Sequence, residues 1–385
     1  MFFFDRAFRS FFLGGSLFAA VAMFVWWLNY PQSSSSFSGV SPMLWHAHEM
    51  VFGYALATVT GFLLTAVMNW TRSDSASGMP LMGLFLLWLS ARIGFLWGAP
   101  LETIMALDML FNLGLFLHFA WPVYRRKLWA QTGLSAKFLL LIFANGVFYI
   151  GALGWLDNAD LWGVVLGLFL VLAINLTMIR RLVPFFTEKA LGLVERPNSD
   201  LLDKLALTGF LALMVAATFF PTHWLTTVIA WPLAAVHILR FKVWYHPKVW
   251  SVVLLWPLHF SYGFMIFGML LYGFAGLNWV APSLALHALA AGGIGLLCSS
   301  IMARISLGHT NRNVFEPPKA VVWVFGILAA AAFVRVVLPI LDAGHYVLWM
   351  HLSQLGWVIA FGLLTILYAP ILARPSPEKD TGIRL

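Results

Sequence analysis

The sequence predicts an all-α, polytopic integral membrane protein, a single transmembrane helical domain over residues 1–385 with about twelve helices and both termini cytoplasmic. Three observations predict it. The 385 residues are 61% hydrophobic and only 10% charged, against about 25% charged in a typical soluble domain whose surface faces water. Its apolar runs fall into segments of about 16 to 27 residues, the length needed to cross a hydrocarbon core roughly 30 Å thick. Its basic residues fall on alternate connecting segments.

The segments follow in order. Phe11–Tyr30 lacks a small-residue cleavage site and reads as a first helix, not a removed signal. Ala47–Met68 ends before Arg72, Met79–Trp97 before Gly98 and Pro100, and Thr103–Tyr124 at Arg125, Arg126 and Lys127. Ala136–Trp155 stops at Asp157 and Asn158, and Ala159–Met178 at Arg180 and Arg181. Leu205–Phe220 and Thr222–Leu239 are divided only by Pro221, the weakest boundary in the chain. Ser251–Tyr272, Ser283–Ala303, Ala320–Ile340 and Tyr346–Leu372 complete the set, the last tilted or broken before Pro370. The stretch from Arg180 to Lys204 is the longest connection and holds at most a short interfacial helix.

With a cytoplasmic N-terminus, every Lys and Arg of the 23 falls on a cytoplasmic segment except Arg92 and Arg335, which lie inside apolar runs. A wrong helix count would invert this asymmetry downstream, and no inversion occurs. The sequence pI of about 9.7 therefore reflects cytoplasmic loops and anionic lipid, not a nucleic-acid surface. The single Cys298 rules out an intramolecular disulfide, and the absence of Cys-x-x-Cys-His rules out covalent c-type haem attachment.

Ionisable side chains at membrane depth are costly and mark function by default. The topology places His46, His48 and Glu49 at the outer end of the second helix and Asp108 near that of the fourth. It puts Arg92, Arg335, His287 and His351 in the outer half as well. His259 lies some eight residues into the ninth helix from the inside, about 12 Å deep. Histidines in this concentration suit haem iron or copper better than harder ions. On a regular helix His46 and His48 diverge by about 200°, whereas His46 and Glu49 share a face, so Glu49 is placed to orient the His46 imidazole.

Other readings stand beside these. Below His287 the small residues Ala291, Gly292, Gly293 and Gly295 form a smooth face suited either to a flat macrocycle or to helix packing, and packing is the commoner use. Gly53, Ala57 and Gly61 have the same spacing. Arg92 and Arg335 either pair with Asp108 or hold the two propionates of a haem. His118, His223, His237 and His345 read as packing or interfacial residues, and His246 as solvated. His309 lies about 33 Å along a helix from His287 and so belongs to a separate cytoplasmic site.

At these residues the sequence resembles the NnrS family. The match lies in Trp-His-Ala-His-Glu-Met-Val-Phe-Gly-Tyr (45–54) and Gly-Phe-Leu-Leu-Thr-Ala-Val-Met-Asn-Trp-Thr (61–71). It extends to Phe8–Leu13, Arg181–Thr187, Leu258-His259 with Tyr262, Leu286-His-Ala288 and Met302–Thr310, almost end to end. Three places depart from the family pattern: Ser10, Ile179-Arg180 and Asn311. The resemblance implies a multi-pass bacterial inner-membrane protein with haem and copper, linked to nitric oxide and nitrosative stress. The expected reading is a non-covalent, b-type haem in the outer half, with copper nearby and nitric oxide as small-molecule ligand. Its expected ligands are His46, His48, His259 and His287, supported by Glu49, Asp108 and Tyr262, with Arg92 and Arg335 near propionates and Arg181 with His309 at a cytoplasmic site. The rival readings are a transporter, whose polar residues bind substrate, and a haem- or metal-handling assembly protein.

Overall fold

The computed structural model describes residues 2–31, 36–73, 76–193 and 199–377. Of the basic residues that set the topology, Arg196, Lys379 and Arg384 lie outside the described residues. Among the described residues, twelve helices are long and apolar enough to cross a membrane. They are α1 (Ala7–Asn29), α2 (Pro42–Thr71), α3 (Met79–Trp97), α4 (Leu101–Arg125), α5 (Trp129–Ala152) and α6 (Ala159–Leu191). The series continues with α7 (Asp200–Phe219), α8 (Trp224–Trp244), α9 (Trp256–Ala275), α10 (Pro282–Gly308), α11 (Val321–Leu341) and α12 (Ala343–Leu372).

Local chemistry sets the ends. Ser41 accepts a hydrogen bond from the Leu44 N–H and Pro42 opens the first turn of α2. Arg72, in the left-handed region, closes that helix. Gly98, also left-handed, ends α3, and Pro100 leads into α4. The doubtful junction at Pro221 is a true break: α7 stops at Phe219, and the His223 side chain caps α8 by accepting from the Leu225 N–H.

Several helices overrun their apolar windows. α6 continues through Arg180, Arg181 and Pro184 to Leu191, a length of about 50 Å, so the supposed connection after Met178 is helical for three more turns. Charge explains this, because Arg180 leaves the apolar stretch to pair with Asp203 at 2.5 Å, and Asp203 also meets Arg240 at 3.0 Å. α12 likewise runs through Pro370 without a break. In α9 the correction has the opposite sign. Pro247–Ser251 is a 3₁₀ turn and the helix starts only at Trp256, because Pro257 fits the first helical turn and not the middle of one. His259 is therefore in that first turn, not eight residues deep.

α2 and α10 share an internal feature. Each begins with a short α-helical stretch opened by proline and ending in histidine, Pro42–His48 and Pro282–His287. Each then widens into a π-helix, Glu49–Ala55 and Ala288–Gly295, before resuming as α-helix. Such π segments cluster at functional sites. α2, α6 and α10 also bury the largest shares of their apolar windows.

The chain divides into two compact units. Among the described residues, the first comprises those within 2–171, 305–312 and 364–377; the second comprises those within 172–304 and 313–363. In the first, α1 packs on α2, α2 on α4, and α3 and α5 flank α4. Its ends are tied by Arg9, whose guanidinium donates to the carbonyls of Leu372 and Arg374 at 2.9 and 2.8 Å and to Ser376 Oγ at 2.9 Å, satisfying carbonyls at the C-terminus of α12. In the second, α9 packs on α8 and on the π segment of α10, and α11 packs on that same segment.

Candidate functional site

In the first unit the π segment of α2 places Glu49 beside a cluster of buried charges. Arg92 of α3 bridges two carboxylates, with Nη2 at 2.6 Å from Asp108 Oδ1 and Nη1 at 3.0 Å from Glu49 Oε1. Asp108 of α4 is saturated. Its Oδ2 accepts from Asn145 Nδ2 at 2.9 Å and from the Tyr149 hydroxyl at 3.1 Å, with His48 Nε2 at 3.4 Å. Arg92, Glu49, Asp108 and His48 are all essentially inaccessible to solvent. Close approach depends on Gly53, where an added Cβ would lie 2.5 Å from Phe18 and 3.1 Å from Arg92 Nη1. Trp88 closes the other side by donating its indole N–H to the Gly53 carbonyl at 2.9 Å.

Hydrogen-bond geometry fixes the roles around His48. Since Asn145 donates to Asp108 through its amide nitrogen, its Oδ1 is the atom that faces His48, and it accepts from Nε2–H at 2.9 Å. The other ring nitrogen, Nδ1, meets Glu49 Oε1 at 2.9 Å. One proton therefore lies on that contact, carried by the imidazole or by the carboxyl group. With the proton on His48, two cations balance two anions, the arrangement that best offsets burial. Glu49 Oε2 remains without a hydrogen-bond partner.

This geometry revises one expectation. Glu49 meets His48, not His46: its Oε1 turns to the neighbouring imidazole and to Arg92. His46 instead stacks on Trp26, with ring centroids 4.9 Å apart and 6° between planes. Of the two roles open to Arg92, pairing with Asp108 is the one formed. Both nitrogens of His48 are occupied, so a ligating His48 would have to give up one of these bonds. Asn145 and Tyr149 were not singled out from the sequence. Their spacing of four on α5 was the available signal, since it places two polar side chains on one face.

In the second unit His287 closes the short helix before the π segment of α10. Its Nδ1 donates to the Ser283 carbonyl at 2.7 Å, and Arg335 Nη2 lies 3.2 Å from each ring nitrogen. The glycine face below it is filled by side chains. A Cβ on Gly292 would overlap Phe264, on Gly293 it would lie 2.8 Å from Met265, and on Gly295 2.7 Å from Trp357. Those glycines serve packing and do not leave a bed for a macrocycle. His259 Nε2 lies 3.3 Å from Thr187 Oγ1, and its Nδ1 3.3 Å from the Leu255 carbonyl. Tyr262 supports neither His259 nor His287, and its hydroxyl instead meets His237 Nδ1 at 2.7 Å. His237, read from the sequence as a packing residue, is thus one half of a buried polar pair.

The separate cytoplasmic residues lie in different units. His309 packs over Phe8 in the first, with centroids 5.6 Å apart, and Arg181 is exposed on α6. The pKa of His309 is pushed below the ordinary histidine value, first by desolvation of its packed face and second by the charge of Arg6.

A family model described as NnrS protein matches residues 2–376. The chain belongs to the NnrS family. No curated protein matches it. As a family member it brings together His48, Glu49, Arg92 and Asp108 within one unit, and His287 with Arg335 within the other. Copper and haem fare differently against these residues. Among the described residues no group of three His, Cys, Asp or Glu side chains is arranged as a metal-binding group, and His48, Glu49 and Asp108 are engaged with Arg92, Asn145 and one another. A haem needs only one axial imidazole; His287 holds its Nδ1–H on a carbonyl, and its Nε2 faces Arg335 Nη2 at 3.2 Å, a contact that ligation would replace.

Proposed function

We propose that this NnrS-family membrane protein acts in the nitric oxide response of the bacterial inner membrane as a non-covalent haem protein, with His287 as the axial imidazole. The observation that carries the reading is the Ser283 carbonyl fixing the His287 tautomer. When bound, the haem supplies iron for coordinating nitric oxide. Arg335 supplies positive charge beside that imidazole, suited to a propionate. The role assigned to the His48–Glu49–Arg92–Asp108 cluster is to hold α2, α3, α4 and α5 together around the outer end of α2. Copper enters this reading through the family resemblance alone and is given no ligands.

The test is absorption spectroscopy with iron and copper analysis of purified, monodisperse protein from haem-replete cells. The wild type should show a Soret band that shifts on addition of nitric oxide. His287→Ala should lose most of the haem, and His309→Ala should keep it; His46→Ala and His259→Ala, run alongside, report whether either imidazole contributes. A colourless wild type would favour the transporter reading, for which the partnerless Glu49 Oε2 is the supporting observation.

A further inference from the structure

At the end of α4, on the side that the Lys and Arg distribution makes cytoplasmic, the first unit contains a groove of about 470 Å³. Its walls follow the helix axis. Leu117, Trp121 and Arg125 form one ridge at spacings of four, and His118, Pro122 and Arg126 form the adjacent one, with Ser73 closing the end. From Leu117 to Arg125 is about 12 Å, and over that distance the surface changes from apolar to cationic. Leu113, one turn deeper on the first ridge, is 44% exposed, Leu117 52% and Trp121 59%. The apolar part therefore faces lipid.

The cationic end has the features of an anion site. Neither Arg125 nor Arg126 pairs with a carboxylate among the described residues. Arg125 is held over the Trp121 ring at 5.6 Å from its centroid, which orders one guanidinium before any ligand arrives. The rings of Trp121, Tyr124 and Trp129 follow one another at 6.4 and 6.1 Å, and such aromatic clusters settle at head-group depth. Two guanidinium groups at that depth present fork geometry for a phosphate.

We propose that this groove binds an anionic phospholipid. The phosphodiester sits between Arg125 and Arg126, and one acyl chain lies along Trp121, Leu117 and Leu113. A lipid is the occupant because half of the groove is an apolar, bilayer-facing strip that a free anion in water would not use. An anionic head group is specified because a zwitterionic one would bring its own cation against the two arginines. This assignment rests on the groove alone and is independent of any haem.

Native mass spectrometry of the full-length protein from zwitterionic micelles tests it, with phosphatidylglycerol and phosphatidylcholine of matched chains added in competition. Wild-type protein should retain phosphatidylglycerol in preference, and excess inorganic phosphate should not displace it. Arg125→Gln with Arg126→Gln should lower the preference by about thirty-fold, at about five-fold per basic residue near an anionic surface. Arg125→Lys with Arg126→Lys, which keeps both charges but not the fork geometry, should fall between the wild type and the Gln pair and controls for folding. The proposal is overturned if the Gln pair retains phosphatidylglycerol as the wild type does. It is equally overturned if phosphatidylcholine competes on equal terms or if inorganic phosphate displaces the lipid.

Discussion

Arg92 lies between two carboxylates, Glu49 and Asp108, in a part of the chain closed to water. Removing it leaves two buried anions with one imidazole to balance them. Arg92→Leu should therefore destabilise the protein by about 3–5 kcal/mol, the cost of breaking a buried ion pair from one side. Tyr149→Phe, which removes one of several donors to Asp108, should cost only about 1 kcal/mol. Thermal unfolding in detergent micelles compares the two, and equal melting temperatures for Arg92→Leu and wild type would remove the cluster from any account of stability. The Arg92–Asp108 pair was readable in the sequence as one of two alternatives, because both residues are charged, lie on consecutive helices and face the same end of them. The His48–Glu49 contact was not readable. Adjacent residues on a regular helix point about 100° apart, so spacing pairs Glu49 with His46 and not with its neighbour.

The helices themselves were legible where apolarity alone defines them and illegible where a charge finds a partner. α6 passes its apolar limit because Arg180 reaches Asp203, a contact between residues that sequence periodicity does not connect. The small-residue face of α10 was legible as a pattern but not as a purpose, since packing and cofactor approach demand the same residues. Substitution separates the two kinds of glycine. Gly292→Ala forces a methyl into Phe264 and should cost about 1–3 kcal/mol through overpacking. Gly326→Ala on α11 meets nothing within 4 Å and should be neutral or stabilise by about 0.5–1 kcal/mol through helix propensity. Melting curves of the two variants in the same detergent are the check, and a Gly292→Ala protein as stable as wild type would show that α9 gives way easily there.

Across the whole molecule, the twelve spans were legible because length and hydropathy are properties of the chain itself. The division into two compact units was not, since it depends on which distant segments return: residues 305–312 and 364–377 join the first unit without any sequence signal that they will. The even number of spans places both ends on one side of the membrane. Reporter fusions at either terminus and after Tyr124 should report cytoplasm, and fusions after Tyr30 and Gly276 should report the opposite side. A C-terminal fusion reporting the far side would refute twelve crossings.

The grip of Arg9 on the end of α12 has a consequence in time. The Leu372 carbonyl that Arg9 binds is made 363 residues after it. At a synthesis rate of about 5–20 residues per second, the arginine waits roughly 20–70 s for its acceptors. During that interval it must be carried by water and lipid head groups. The first unit thus begins to assemble long before the segment that closes it has been made.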